Sequence, residues 1–150
     1  FVDRPEIKTA LLSDSNIAAV FELAAAANIV VYGVGVVSET ASPYQQGLVE
    51  HDMVPLISAK GGVGEIIGHT FTLKGEVCSP EMSARTIAVD LEKLRTKELS
   101  IAAAGGHWEV DAIYGALIGR FCNVLITDED TARALIQRGK VSQNGAGSGA

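Results

Sequence analysis

The apolar residues of this chain change period several times, and each change marks an element. Ile17, Val20, Phe21 and Ala24 recur at helical spacing behind Ser13 or Asp14 as N-cap, and the pattern ends near Asn28. Ile29-Val30-Val31-Tyr32 then runs without a polar break into Gly33-Val34-Gly35, as expected of a strand buried on both faces that ends in a loop. Ser42 to Glu50 reads as a helix start with Pro43 in its first turn, and His51 to Ala59 as a second short helix despite Pro55. The glycine-rich turn Lys60-Gly61-Gly62-Val63-Gly64 leads into Glu65 to Thr72 and a reversal at Lys74-Gly75, which predicts a β-hairpin.

The second half alternates more clearly. Ile87 to Val89 and Leu99 to Ala103 suit central strands, with a short helix between them over Asp90 to Lys97. Gly105-Gly106 opens a helix with Val110, Ile113 and Leu117 on one face, and Val124 to Thr127 is a further buried strand. Asp128 caps a last helix with Ala132, Leu135 and Ile136 on one face, ending near Gly139. Residues 142–150, rich in Gly, Ser, Ala and Asn, are expected to form a flexible tail behind one domain over residues 1–141. The whole predicts an α/β fold, a mostly parallel sheet with helices on both faces and a hairpin excursion. In such folds ligands sit beyond the C-terminal ends of the strands.

Composition narrows the function classes. With 150 residues, 47% of them hydrophobic, the chain is long enough for one domain with a proper core. No apolar run is long enough to span a bilayer, since Gly33 and Gly35 interrupt the longest, and no membrane partner is expected. A net charge of −6 with scattered Lys and Arg removes the electrostatic footprint of a nucleic-acid surface. Cys78 and Cys122 have no metal-ligand spacing and read as buried thiols, which favours the cytoplasm. His51, His69 and His107 stand in no ligand pattern, so no metal is expected, and no cofactor is implied.

The candidate chemistry lies in glycine-bearing loops. Gly105-Gly106, after a strand and before a helix, presents backbone N–H groups suited to an anion, or is a plain turn where glycine permits the backbone geometry. Glu109 in the following turn would compete with a bound anion or repel it. His107 and Trp108 stand beside that loop, and Trp108 can stack on a sugar ring or pack on the surface. Gly33-Val34-Gly35 lacks the third glycine of a dinucleotide-binding turn, since Ser38 stands there. Glu65 and His69, near Gly64, form either an acid and imidazole pair facing a ligand or an unrelated pair on a hairpin. No G-x-S-x-G turn surrounds Ser13, Ser38 or Ser79.

Taken in order, three motif groups carry a family resemblance. They are Val31-Tyr32-Gly33-Val34-Gly35; Gly62-Val63-Gly64-Glu65-Ile66-Ile67-Gly68 with Phe71 and Gly75; and Leu99 to Gly106 with Ala112-Ile113, Leu125 to Glu129 and Thr131-Ala132. From about Pro5 to Gly139 the chain resembles the C-terminal sugar-binding domain of SorC/DeoR-type bacterial transcriptional regulators. The resemblance implies a fold similar to glucosamine-6-phosphate deaminase and ribose-5-phosphate isomerase, used as a sensor. It implies a sugar, polyol or sugar-phosphate effector, operator DNA bound only through a helix-turn-helix domain outside this chain, and a homo-oligomer, dimer or tetramer.

The first part of the effector domain, with a glycine-rich phosphate loop, is likewise expected to precede Phe1. Two positions depart from the family pattern. Glu109 stands where the resemblance sets a lysine, which points to an unphosphorylated effector, and Glu65 stands where it sets an aspartate. The expected ligand-binding set is Gly33, Val34, Gly35, Gly64, Glu65, His69, Gly105, Gly106, His107 and Glu109, with no catalytic residue. The alternative is an isomerase- or deaminase-like enzyme with Glu65 and His69 as acid and base.

Overall fold

The computed structural model of the chain describes residues 1–41, 45–47 and 52–145. The helix expected over Ser42 to Glu50 lies largely outside these residues, as do His51 and residues 146–150.

Two helices open the chain, α1 (Pro5–Ser13) and α2 (Ser15–Ala26). Pro5 occupies the first turn of α1, where its missing N–H costs nothing, and this helix has no counterpart in the apolar pattern. Asp14 caps α2 as expected, its carboxylate accepting from the N–H groups of Asn16 and Ile17. At the other end of α2 the Lys97 ammonium donates to the carbonyls of Ala24, Ala25 and Ala27, at 2.7–2.9 Å. That cation suits the orphan carbonyls of a helix C-terminus.

The parallel sheet has the order β1-β5-β6, formed by β1 (Ile29–Tyr32), β5 (Leu99–Ala103) and β6 (Val124–Ile126). A second, antiparallel sheet joins β2 (Gly35–Val36), β3 (Gly62–Ile66) and β4 (His69–Thr72) in that order. The chain passes from the first sheet to the second through Gly33-Val34. Between these strands lie α3 (Met53–Ala59), α4 (Pro80–Ser83), α5 (Leu91–Leu94), a 3-10 turn (His107–Glu109), α6 (Val110–Ile118) and α7 (Glu129–Gly145).

The core fills the space between the two sheets. Tyr32 and Ala102 from the parallel sheet meet Ile66 and Phe71 from the hairpin, with Ala112, Ile113 and Ala116 of α6 and Leu135 of α7 between and around them. Phe71 and Phe121 stack edge to face at 5.3 Å, and the Arg95 guanidinium lies 5.0 Å over the Phe121 ring. One polar network crosses this core. The hydroxyls of Tyr32 and Ser100 both donate to the Phe121 carbonyl, at 2.5 and 2.6 Å, and burial pushes the Tyr32 phenol up to about 12.

Several expectations need correction. β1 is an edge strand with only Tyr32 buried, and Val31 is 64% exposed; Ile126 of β6 is likewise exposed, so neither strand is covered on both faces. The register pairs Ile29 with Leu99, Val31 with Ile101 and Ala103 with Ile126, which puts an apolar row on one face that no described helix covers. Ile87 to Val89 joins neither sheet. The β3-β4 hairpin reverses at Ile67-Gly68, both of positive φ, 44° and 84°, and the expected reversal at Lys74-Gly75 follows it, where Thr72 N–H donates to the Glu76 carbonyl and Phe71 bridges antiparallel to Val77. In α6 the buried face is Ala112, Ile113 and Ala116, while Leu117 is turned outward. Helix α7 runs on past Gly139 to Gly145, with Leu135 inside and Ile136 exposed.

Candidate functional site

All three parallel strands point the same way, so the loops after them meet at one edge of the sheet. Those loops are Gly33-Val34 after β1, Ala104-Gly105-Gly106 after β5 and Thr127-Asp128 after β6. They are in contact. A side chain on Gly105 would overlap the Asp128 carboxylate and approach the Thr127 hydroxyl to 3.2 Å, so only glycine lets the second and third loops close on each other. Gly33 in turn lies beside the Ala103 carbonyl.

The polar groups of this edge form a connected set. Gly105 N–H donates to the Glu109 carboxylate at 3.1 Å, and Gly106 N–H to the Thr131 hydroxyl at 2.8 Å. The Thr131 hydroxyl passes its own proton toward Asp128 Oδ2 at 2.7 Å, while Thr131 N–H donates to Asp128 Oδ1 at 2.8 Å. Asp128 therefore caps α7 and anchors the glycine loop at once. The bonds from the Thr131 backbone and hydroxyl hold its carboxyl below the usual aspartate range, so it is an anion near neutral pH. Thr127 Oγ1, next in the chain, is buried without a partner among the described residues.

The structure separates the expected residues into those that reach this edge and those that do not. Gly33, Gly105, Gly106, His107 and Glu109 lie on the strand-end loops or in the turn that follows, and Gly35 opens β2 directly after the first of these loops. His107 is exposed, its ring edge-on to Trp108 at 5.4 Å, and Trp108 is 84% exposed. The Val34 side chain is in the core, so only its backbone faces outward. Gly64 is buried where the hairpin crosses α6, with Phe71 and Ala112 too close to admit any side chain.

Glu65 and His69 are not brought together. Glu65 pairs with Thr70 across the hairpin and Ile66 with His69, and neighbouring residues of a strand face opposite ways. One Glu65 oxygen accepts from Gly68 N–H, the other lies against Gly35, and burial pushes the carboxyl above its ordinary range. His69 is 3% exposed, its Nδ1 bonded to the Ser83 hydroxyl at 3.1 Å. Burial holds its imidazole below the usual value, with the Asp90 charge opposing that shift. Among the described residues no group of His, Cys, Asp or Glu has the arrangement of a metal site.

Thr127, Asp128 and Thr131 are the functional candidates absent from the expected set. Their signal was present in the sequence as an Asp three residues before a Thr, at the end of an apolar strand. It reads there as a helix cap within one of the family motifs, and only the fold brings Gly105 and Gly106 against it.

Comparison with known proteins shows the family and the fold. Residues 1–137 match the family Sugar-bind, described as a sugar-binding domain. The chain is similar to the deoxyribonucleoside regulator of Bacillus subtilis (strain 168), 40% identical over 134 residues that cover 89% of this chain and 42% of that protein. It is 35% identical over 136 residues to the erythritol catabolism regulatory protein EryD of Brucella abortus (strain 2308), covering 91% of this chain and 43% of that one. Among solved structures, the full-length sorbitol operon regulator SorC from Klebsiella pneumoniae superposes with a TM-score of 0.79 and 25% identity, over 90% of this chain and 44% of that one. The chain thus spans less than half the length of the curated relatives it matches.

Proposed function

This chain belongs to the Sugar-bind family of sugar-binding domains found in bacterial transcriptional regulators, and on that premise we propose that it senses a sugar, polyol or sugar phosphate to control operator DNA binding. The observation that carries the reading is the meeting of three strand-end loops, where backbone N–H groups, two carboxylates and two threonine hydroxyls gather at the mouth of a parallel sheet. Such a mixture of donors and acceptors suits the hydroxyls of a carbohydrate. Gly33, Gly35, Gly105, Gly106, His107, Glu109, Thr127 and Asp128 are the proposed contacts, with Glu65 beside Gly35.

The domain acts by binding, without turnover. The enzyme alternative depends on Glu65 and His69 as acid and base, and these face opposite sides of the hairpin. DNA is met through a separate domain of the longer cytoplasmic protein, and the uncovered face of the parallel sheet packs against further polypeptide of that protein. The assembly is a homo-oligomer whose quaternary arrangement the effector shifts, which requires that it bind the two arrangements with different affinity.

The test uses Trp108, the only tryptophan, as a reporter two residues from the glycine loop. Titration of the chain with free and phosphorylated pentoses, hexoses and polyols is expected to change its fluorescence saturably for one of them, with a matching rise in Tm. Asp128→Asn is expected to weaken that binding about tenfold, the loss of one charge-assisted hydrogen bond. No response to any carbohydrate, or conversion of a sugar phosphate during the titration, defeats the reading.

A further inference from the structure

The two free-looking N–H groups of the glycine loop are already engaged by the chain's own oxygens. Gly106 N–H is held by Thr131, and Gly105 N–H by the carboxylate of Glu109, a tethered anion seated where a ligand's anion would otherwise be received. Asp128 places a second carboxylate against Gly105 from the opposite loop. Among the described residues no cation pairs with them. The ion pairs among the described residues are Lys60–Glu81, Arg95–Glu92, Arg133–Glu129 and Arg138–Asp111, and none includes Glu109 or Asp128.

We infer that Glu109 is a specificity residue that closes the Gly105-Gly106 loop to phosphate, so that this edge of the site receives the uncharged, hydroxyl-bearing part of its ligand. The inference rests on the sugar-binding reading for the ligand's class, and on the Glu109 geometry alone for the exclusion of phosphate. Two carboxylates flanking one glycine accept hydrogen bonds from neighbouring hydroxyls, as a vicinal diol provides. A phosphate ester is largely a dianion at neutral pH, and it would meet two like charges where both glycine N–H groups are already bonded to the chain's own oxygens. Thr127 Oγ1, buried and without a partner among the described residues, lies 3.2 Å from where a Gly105 side chain would start.

The experiment follows the amide signals of Gly105 and Gly106 by NMR while inorganic phosphate is added at matched ionic strength. In the native chain these signals are expected to stay in place. In Glu109→Ala, which frees the Gly105 N–H, they should move saturably, and in Glu109→Gln, which keeps the acceptor but not the charge, they should move to a smaller degree. Saturable movement in the native chain overturns the inference, as does its absence in both variants. A second arm compares each free sugar or polyol with its phosphate ester. The free form is expected to bind the native chain at least about tenfold more tightly, and Glu109→Ala to narrow that gap. Equal or tighter binding of the ester overturns the inference. If no carbohydrate binds any variant, the sugar-binding reading fails, while the phosphate arm still decides the role of Glu109.

Discussion

Glu65 shows how one side chain carries a sign that only its surroundings set. Its carboxylate is folded onto the hairpin turn, accepting from Gly68 N–H, and burial outweighs that bond in pushing its titration above the ordinary 4.5. A carboxyl raised in the folded state favours folding fully below its unfolded value, and that contribution is lost as the pH rises through its folded value. Glu65→Gln retains an oxygen for Gly68 and cannot ionise. It is therefore expected to be more stable than the native chain in urea at pH 7, with the difference shrinking as the pH falls toward about 4. A difference that does not change with pH would show that Glu65 does not titrate in this range.

At the scale of elements, the hairpin and α6 meet through a contact without side chain. Gly64 in β3 lies against Ala112 and the Phe71 ring, and a Cβ there would sit 2.8 Å from the first and 2.5 Å from the second. Both neighbours are fully buried and have nowhere to retreat. Gly64→Ala is expected to cost about 1–3 kcal/mol by overpacking, read as a lower urea midpoint. Native stability in that variant would mean that α6 sits further from the hairpin than described. The hairpin also holds a turn the sequence hid. Ile67-Gly68 is a two-residue reversal with both φ values positive, and isoleucine is a poor residue for such a turn, so only the second reversal, at Lys74-Gly75, was legible.

For the whole molecule, the exposed face of the parallel sheet is the dominant feature. Ile29, Val31 and Ile126 are each more than half exposed, and Leu99 completes the row beside Ile29. Parallel sheets are ordinarily covered on both faces, and an apolar row of this kind invites association. At rising concentration the chain alone is expected to self-associate in sedimentation experiments. Val31→Lys together with Ile126→Lys should reduce that association without lowering Tm, since neither side chain supports the core. Association unchanged in the double variant would place the contact elsewhere.

The sequence by itself determined the α/β class, the three strands that form the parallel sheet, the cap at Asp14 and the glycine loops that terminate the strands, because these depend on period and on residues that act locally. The motifs near Gly33, Gly64 and Gly105 were legible for the same reason, and so was the conflict between Glu109 and a bound anion. Only the tertiary structure decided which residues of those motifs share one site. It drew Asp128 and Thr131 onto the Gly105 loop, turned His69 away from Glu65, set Gly64 to packing and left one face of the sheet bare. Those outcomes depend on strand order, register and the distance between elements far apart in the chain, and a hydrophobic period carries none of these.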